Sequence, residues 1–184
     1  MENVDFNVFC NEALGFLQQF MDSVKLNLIV QAITEDEFED LVFDQRSRLN
    51  WREYFPHYLE ENSFHAGFKL TFDGEPEGAF LTVYSESDKH LHVLMLESLV
   101  RDEDDHPLKG RLTALTVVAI TDLLSAIPDS VGAYIVQPHS DLTSHYKKFG
   151  FSLTNQSDVT MHASLTRLQQ VQFSIVTGQK VHLV

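Results

Sequence analysis

Cysteine is almost missing from this sequence. Cys10 stands alone among 184 residues, so no intrachain disulfide can form and no cysteine-based zinc cluster can be built. It lies in an apolar helical stretch and is expected in the core. Positive charge is also scarce, with 13 Lys and Arg against 27 Asp and Glu and a formal net charge of −14 at pH 7. Phosphate backbones and anionic membrane surfaces both need a Lys/Arg footprint, so neither nucleic acid nor a membrane is expected as a partner. Cationic substrates or partners fit the charge better. No apolar run approaches the roughly 18 residues that a membrane span needs. The opening stretch MENVDFNVFC carries acids where an export signal needs basic residues, which gives the expectation of a cytoplasmic protein. The sequence contains no Walker loop, no nucleophile elbow, no Ser-His-Asp order, no repeat and no low-complexity segment.

What is present is core-forming. Hydrophobic residues make up 43% of the chain, and its length favours one domain, 1–184. Ala13, Leu14, Leu17, Phe20, Met21 and Val24 recur at three- and four-residue spacing, which predicts a helix over about 8–24. The β-rich run 25–33 predicts a strand. Thr34 and Glu37 form a capping box that opens a helix or helix pair running to about Glu61, with Leu49, Trp51, Tyr54 and Phe55 inward and Pro56 as a break or kink. Residues 65–87 read as a hairpin around Asp73-Gly74-Glu75-Pro76, and 90–100 as a central strand apolar on both faces. A helix over 111–127, a strand over 132–138 and a short helix over 140–150 follow, the last ending on a left-handed cap at Gly150. Closing strands are expected over 151–154 and 159–165, with a strand or hairpin extension over about 168–184 turning at Thr177-Gly178. This order predicts an α/β (α+β) domain with a mixed sheet covered on both faces.

The stretch VRDEDDHPLKGRLTAL (100–115) places an acidic run before a Lys-Gly-Arg step that opens a helix. A helix start carries unpaired N–H groups and partial positive charge, and glycine lets an anion reach the backbone. Strand, loop, Gly110 and helix therefore form a reasonable phosphate site, with Lys109 and Arg111 adding charge.

Together with Tyr146-Lys147-Lys148-Phe149-Gly150-Phe151, this arrangement resembles the GNAT superfamily of N-acetyltransferases. The hexapeptide is similar to the family's Tyr-x-x-x-Gly-Phe segment, and Leu99-Val100 ahead of Gly110 to its donor-binding strand and pyrophosphate loop. The resemblance implies a mostly antiparallel sheet splayed between the strands near 90–100 and 132–138, with acetyl-CoA in the splay. Leu99 and Val100 would bond the pantetheine arm, the amides of Gly110, Arg111, Leu112 and Thr113 the pyrophosphate, and His139 would stand where the family often has Asn. An amine acceptor, a small molecule or a protein amino group, would attack the thioester directly, and Tyr146 would protonate the departing thiolate. No metal is implied. The family's loop usually runs Gln/Arg-x-x-Gly-x-Gly/Ala, whereas this chain has Pro107 and Leu112 at the first and last of those positions. The alternative reading is therefore a non-catalytic acyl-CoA-binding or protein-interaction module. A homodimer is left open.

Three further expectations come from the residues themselves. Glu97 interrupts an apolar strand, and a buried carboxylate with a raised pKa would suit proton abstraction from an ammonium. His90 and His92 share one strand face as a metal pair would, but lack an evident third ligand; His139 and His145 are alternative bases. Asp102, Glu103, Asp104 and Asp105 are expected to turn outward, leaving Lys109 and Arg111 to face the donor.

Overall fold

The computed structural model describes residues 3–154 and 160–178. Its elements run α1 (Asn3–Ser23), β1 (Ile29–Gln31), α2 (Glu35–Phe43), a 3-10 turn (Trp51–Tyr54), α3 (Phe55–Tyr58), β2 (Ser63–Lys69), β3 (Gly78–Ser85), β4 (His90–Ser98), α4 (Leu112–Ala126), β5 (Gly132–Val136), a 3-10 turn (Ser140–Leu142), α5 (Thr143–Lys147), β6 (Ser152–Leu153), β7 (Thr160–Ser164) and α6 (Leu165–Thr177). The strands form one sheet in the order β1-β2-β3-β4-β5-β7-β6. Among the described residues only the β4–β5 pair is parallel. Among the described residues no helix is long and apolar enough to cross a membrane.

Two apolar layers flank the sheet. On one face α1, α4 and α6 pack together; ten of the fifteen residues of α4 are buried. A helix enclosed on nearly every side is apolar all round, which is why the β-branched run Thr116–Thr121 stays helical against its propensity. On the other face Phe38 and Leu41 of α2 join Trp51 and Tyr58 over Ala79, Leu81, Met95 and Leu99. Thr34 caps α2 by accepting from the Glu37 amide at 3.2 Å.

Three expectations are corrected. The helix opened by Thr34 ends at Phe43, and residues 44–50 form a loop, because a carboxylate from β4 captures their backbone. Pro56 sits in the first turn of α3, where its missing N–H costs nothing. Residues 165–177 form α6, not a strand or hairpin: Ser164 caps it, Leu168 and Val171 are buried, and Gly178 ends it at φ +70°. The rest of that expected extension, 179–184, lies outside the described residues, as does Val159. Smaller departures are Val24, Leu49 and Phe55, which are exposed, and Cys10, which is half-buried.

His65 on β2 ties the α2 layer to the sheet. Its Nδ1 accepts from the Ile33 amide at 3.1 Å, and burial pushes its pKa down to about 4. The unfolded imidazole titrates near its ordinary 6.5, so below that pH the unfolded chain binds the extra proton. Stability is complete above pH 6.5 and is lost as the pH falls toward 4. We expect urea unfolding to show roughly 2 kcal/mol less stability at pH 5 than at pH 7 from this group. His145 and His162, whose pKa values are also lowered by burial, add loss of the same sign. His65→Gln should flatten the profile; an unchanged slope would remove His65 as its source.

Candidate active site

The site begins with a fault in the sheet. β3 and β4 pair in register until Leu81 faces Met95 and Thr82 faces Val93, which leaves Leu94 as an extra residue on β4. Such a bulge bends its strand. β5 pairs with β4 from His90↔Gly132 to Val93↔Ile135, and the pairing stops there, one residue before the bulge. Beyond it β4 continues to Ser98 along β3 while β5 stays with β7. The two central strands part, and the gap opens into a cleft of about 620 Å³.

Eight of the candidate site residues singled out in the sequence line this cleft: Glu97, Lys109, Gly110, Leu112, Thr113, His139, His145 and Tyr146. Arg48, Leu49, Leu96, Ser98, Arg101, Asp141 and Leu142 line it with them. Leu99, Val100 and Arg111 do not. Leu99 is buried in the α2 layer and its amide donates to the Glu77 carbonyl at 2.9 Å, on the β3 side. Backbone groups alternate sides along a strand. Leu96 and Ser98, not Leu99, therefore turn main-chain groups toward the gap. The Ser98 carbonyl is taken by the Arg101 guanidinium at 2.7 Å. The Arg111 side chain folds back onto the Pro107 carbonyl.

At one end of the cleft stands the start of α4. Gly110 has φ +70°, and a Cβ there would meet nothing within 4 Å, so the backbone beside it is open. The Arg111 amide closes a turn onto Leu108. The amides of Gly110, Leu112, Thr113 and Ala114 bond no described residue. Leu112, which stands where a small residue was expected, turns its side chain into the core.

The cations are less available than the sequence implied. Lys109 Nζ donates to the Arg101 carbonyl and lies 3.3 Å from Asp104. Arg46 is held by Asp44 at 2.9 Å and Glu77 at 3.0 Å, with Glu103 at 3.8 Å. All four acids of the run 102–105 are exposed, yet two of them face cations of their own chain.

Glu97 is 6% exposed and its carboxylate is saturated. One oxygen accepts from the Arg48 amide at 2.5 Å and the Leu49 amide at 3.3 Å. The other accepts from Ser47 Oγ at 2.9 Å and Trp51 Nε1 at 2.7 Å, and Arg101 lies 3.8 Å away. The partners that its burial demanded are a loop fifty residues upstream, which no local sequence signal announces.

Tyr146 is 5% exposed and burial raises its pKa, so the phenol holds its proton. Its hydroxyl bonds no described residue. Gly150, at φ +93°, ends this segment as expected. His145 reaches Thr113 Oγ1 at 2.9 Å and so fastens α5 to the start of α4; burial, then Lys148, lowers its pKa and keeps it neutral. His139 is largely exposed and accepts from the Asp141 amide at 3.3 Å. His90 and His92 lie at the other end of β4, in a ring cluster with Tyr134 and His162.

No family model and no curated protein matches this chain. Solved structures do. GCN5 from Tetrahymena superposes with a TM-score of 0.53 at 10% identity, over 74% of this chain and 95% of that one. The PaiA N-acetyltransferase from Thermoplasma acidophilum, in complex with coenzyme A, gives 0.51 at 14% identity over 74% and 98%. AtaTR bound with AcCoA gives 0.57 at 13% identity over 77% and 96%. With its bulged fourth strand and the gap beyond it, this chain has the fold of the GNAT N-acetyltransferases.

Proposed function

We propose that the protein is an N-acyltransferase that passes an acetyl group from acetyl-CoA to an amine within a ternary complex. One observation carries this reading. The gap between β4 and β5 has unpaired α4 amides at one end and the buried Tyr146 phenol in its wall. Acetyl-CoA supplies an activated acyl group as a thioester, and the residues fit it. The amides of Gly110, Leu112, Thr113 and Ala114 would hold the diphosphate, where the helix start favours negative charge. Leu96, and Ser98 through its amide, present main-chain groups that an extended arm would bond as a short added strand. Tyr146 would give its proton to the departing sulfur. Glu97, with four donors on its two oxygens, has no lone pair to spare for a substrate proton; we assign it to positioning the 47–51 loop.

Thermal unfolding with and without CoA tests the donor site. A ligand at 100 times its Kd stabilises by about 2.7 kcal/mol, which is a shift of several degrees. We expect that shift with CoA and acetyl-CoA. It should weaken in Gly110→Val, where a β-branched residue must adopt positive φ beside the diphosphate. No shift with either compound would end the donor reading. A shift without thiol release on any amine would leave an acyl-CoA-binding module.

A further inference from the structure

The charges of the cleft point to its acceptor. Five formally charged residues line it: Arg48, Glu97, Arg101, Lys109 and Asp141. Four already face charged or polar groups of the protein. Glu97 carries four hydrogen bonds and has Arg101 nearby. Arg101 donates to the carbonyls of Ser98 and Arg46. Lys109 meets Asp104 and the Arg101 carbonyl. Asp141 lies 3.6 Å from His139. The Arg48 guanidinium alone bonds no described residue.

Arg48 is exposed, but the backbone that carries it is held. Glu97 accepts the Arg48 amide at 2.5 Å and the Leu49 amide at 3.3 Å, so the backbone that carries this guanidinium is pinned to β4. The nearby acids are spent on its neighbour, since Asp44, Glu77 and Glu103 all turn to Arg46. In a chain with 27 acids and 13 basic residues, an arginine without a counterion at a cleft is a recognition group in waiting. Arg48 lies on the loop that leads into Trp51 of the α2 layer, whereas α4 and its free amides belong to the opposite layer.

Resting on the acetyltransferase reading above, we infer that the acceptor is an amine that also carries a carboxylate, an amino acid or similar zwitterion, with Arg48 gripping the carboxylate. The planar guanidinium matches a carboxylate through two parallel hydrogen bonds. The exposed Leu49 and Leu142 on the same cleft suit an apolar side chain. A polyamine fits poorly, because neither carboxylate of the cleft is free to meet a second ammonium: Glu97 is saturated and Asp141 lies 3.6 Å from His139. Transfer forms a C–N bond to the acyl carbon and breaks the thioester C–S bond. The ammonium gives up two protons, one replaced on sulfur by way of Tyr146 and one released to solvent.

The test is thiol release from acetyl-CoA with leucine, leucinamide, isoamylamine and spermidine as acceptors. Cys10 adds little background, because burial pushes its thiol up to about 12 and keeps it protonated. Leucinamide has the more easily deprotonated amine, so without carboxylate recognition it is the faster substrate. We expect leucine to exceed leucinamide and isoamylamine in kcat/KM by at least about tenfold, the order of one charge-assisted bidentate contact. Arg48→Met should erase that preference while the Kd of CoA stays unchanged. Equal rates with and without the carboxylate, or spermidine as the best acceptor, would overturn the inference and leave the acetyltransferase reading standing. A fall in CoA affinity in Arg48→Met would assign the guanidinium to the donor instead. Absence of CoA binding would overturn both.

Discussion

Replacing Tyr146 with phenylalanine lowers kcat by about 10²–10⁴-fold and leaves the Kd of CoA nearly unchanged, the size expected when one positioned proton donor is removed. The substitution is clean because the ring is what packs. Tyr146 is buried beside α4 and meets the His145 ring with centroids 5.7 Å apart, and phenylalanine keeps those contacts. Only the hydroxyl goes, and it bonds no described residue, so little stability goes with it. Burial raises the phenol pKa, so the proton is present at neutral pH; the same desolvation raises the basicity of a thiolate forming in the gap, which favours the transfer. The measurement is steady-state thiol release beside CoA titration by calorimetry. If kcat and the Kd of CoA fall together, the residue shapes the donor channel. If neither changes, Tyr146 leaves the mechanism.

The sequence shows some parts of this molecule more readily than others. α4 and β4 stand out because their apolar patterns are strong and local. The Tyr146–Phe151 segment stands out because a short helix, a left-handed glycine and a phenol lie within six residues. The bulge at Leu94 does not, since an extra residue is defined only by the register of a neighbouring strand. The loop 44–50 is hidden for a similar reason: its backbone satisfies Glu97, a partner some fifty residues away. The tail is a different case. Leu165, Leu168, Val171 and Ile175 already sit at helical spacing behind the Ser164 cap, but a short β-rich run with a Thr-Gly step reads equally well as a hairpin. The packing face that α1, α4 and the sheet leave to α6 decides between them. Lys109 shows the limit of charge counting, because a cation in a loop of four acids finds its partners before any ligand does.

Glu97→Ala destabilises the fold by about 3–5 kcal/mol, the range for taking one partner from a buried, fully paired charge. Four donors lose their acceptor together: the amides of Arg48 and Leu49, Ser47 Oγ and the Trp51 indole. Trp51 is 1% exposed, so its N–H cannot turn to water without unpacking the α2 layer, and Arg101 loses its nearest carboxylate. For a domain of this size the loss lowers Tm by about 10 °C. Trp51 is the only tryptophan, so its emission reports the site directly and should shift to the red in the folded variant. Glu97→Gln separates positioning from proton transfer. It keeps one carbonyl acceptor but sets an NH₂ against donors, so stability should fall less than in the alanine variant, and kcat/KM should fall with a pH profile of unchanged shape. An acidic limb that disappears in Glu97→Gln would make this carboxylate the base after all. A Tm unchanged in Glu97→Ala would mean that the 47–51 loop is held by something other than its hydrogen bonds to Glu97.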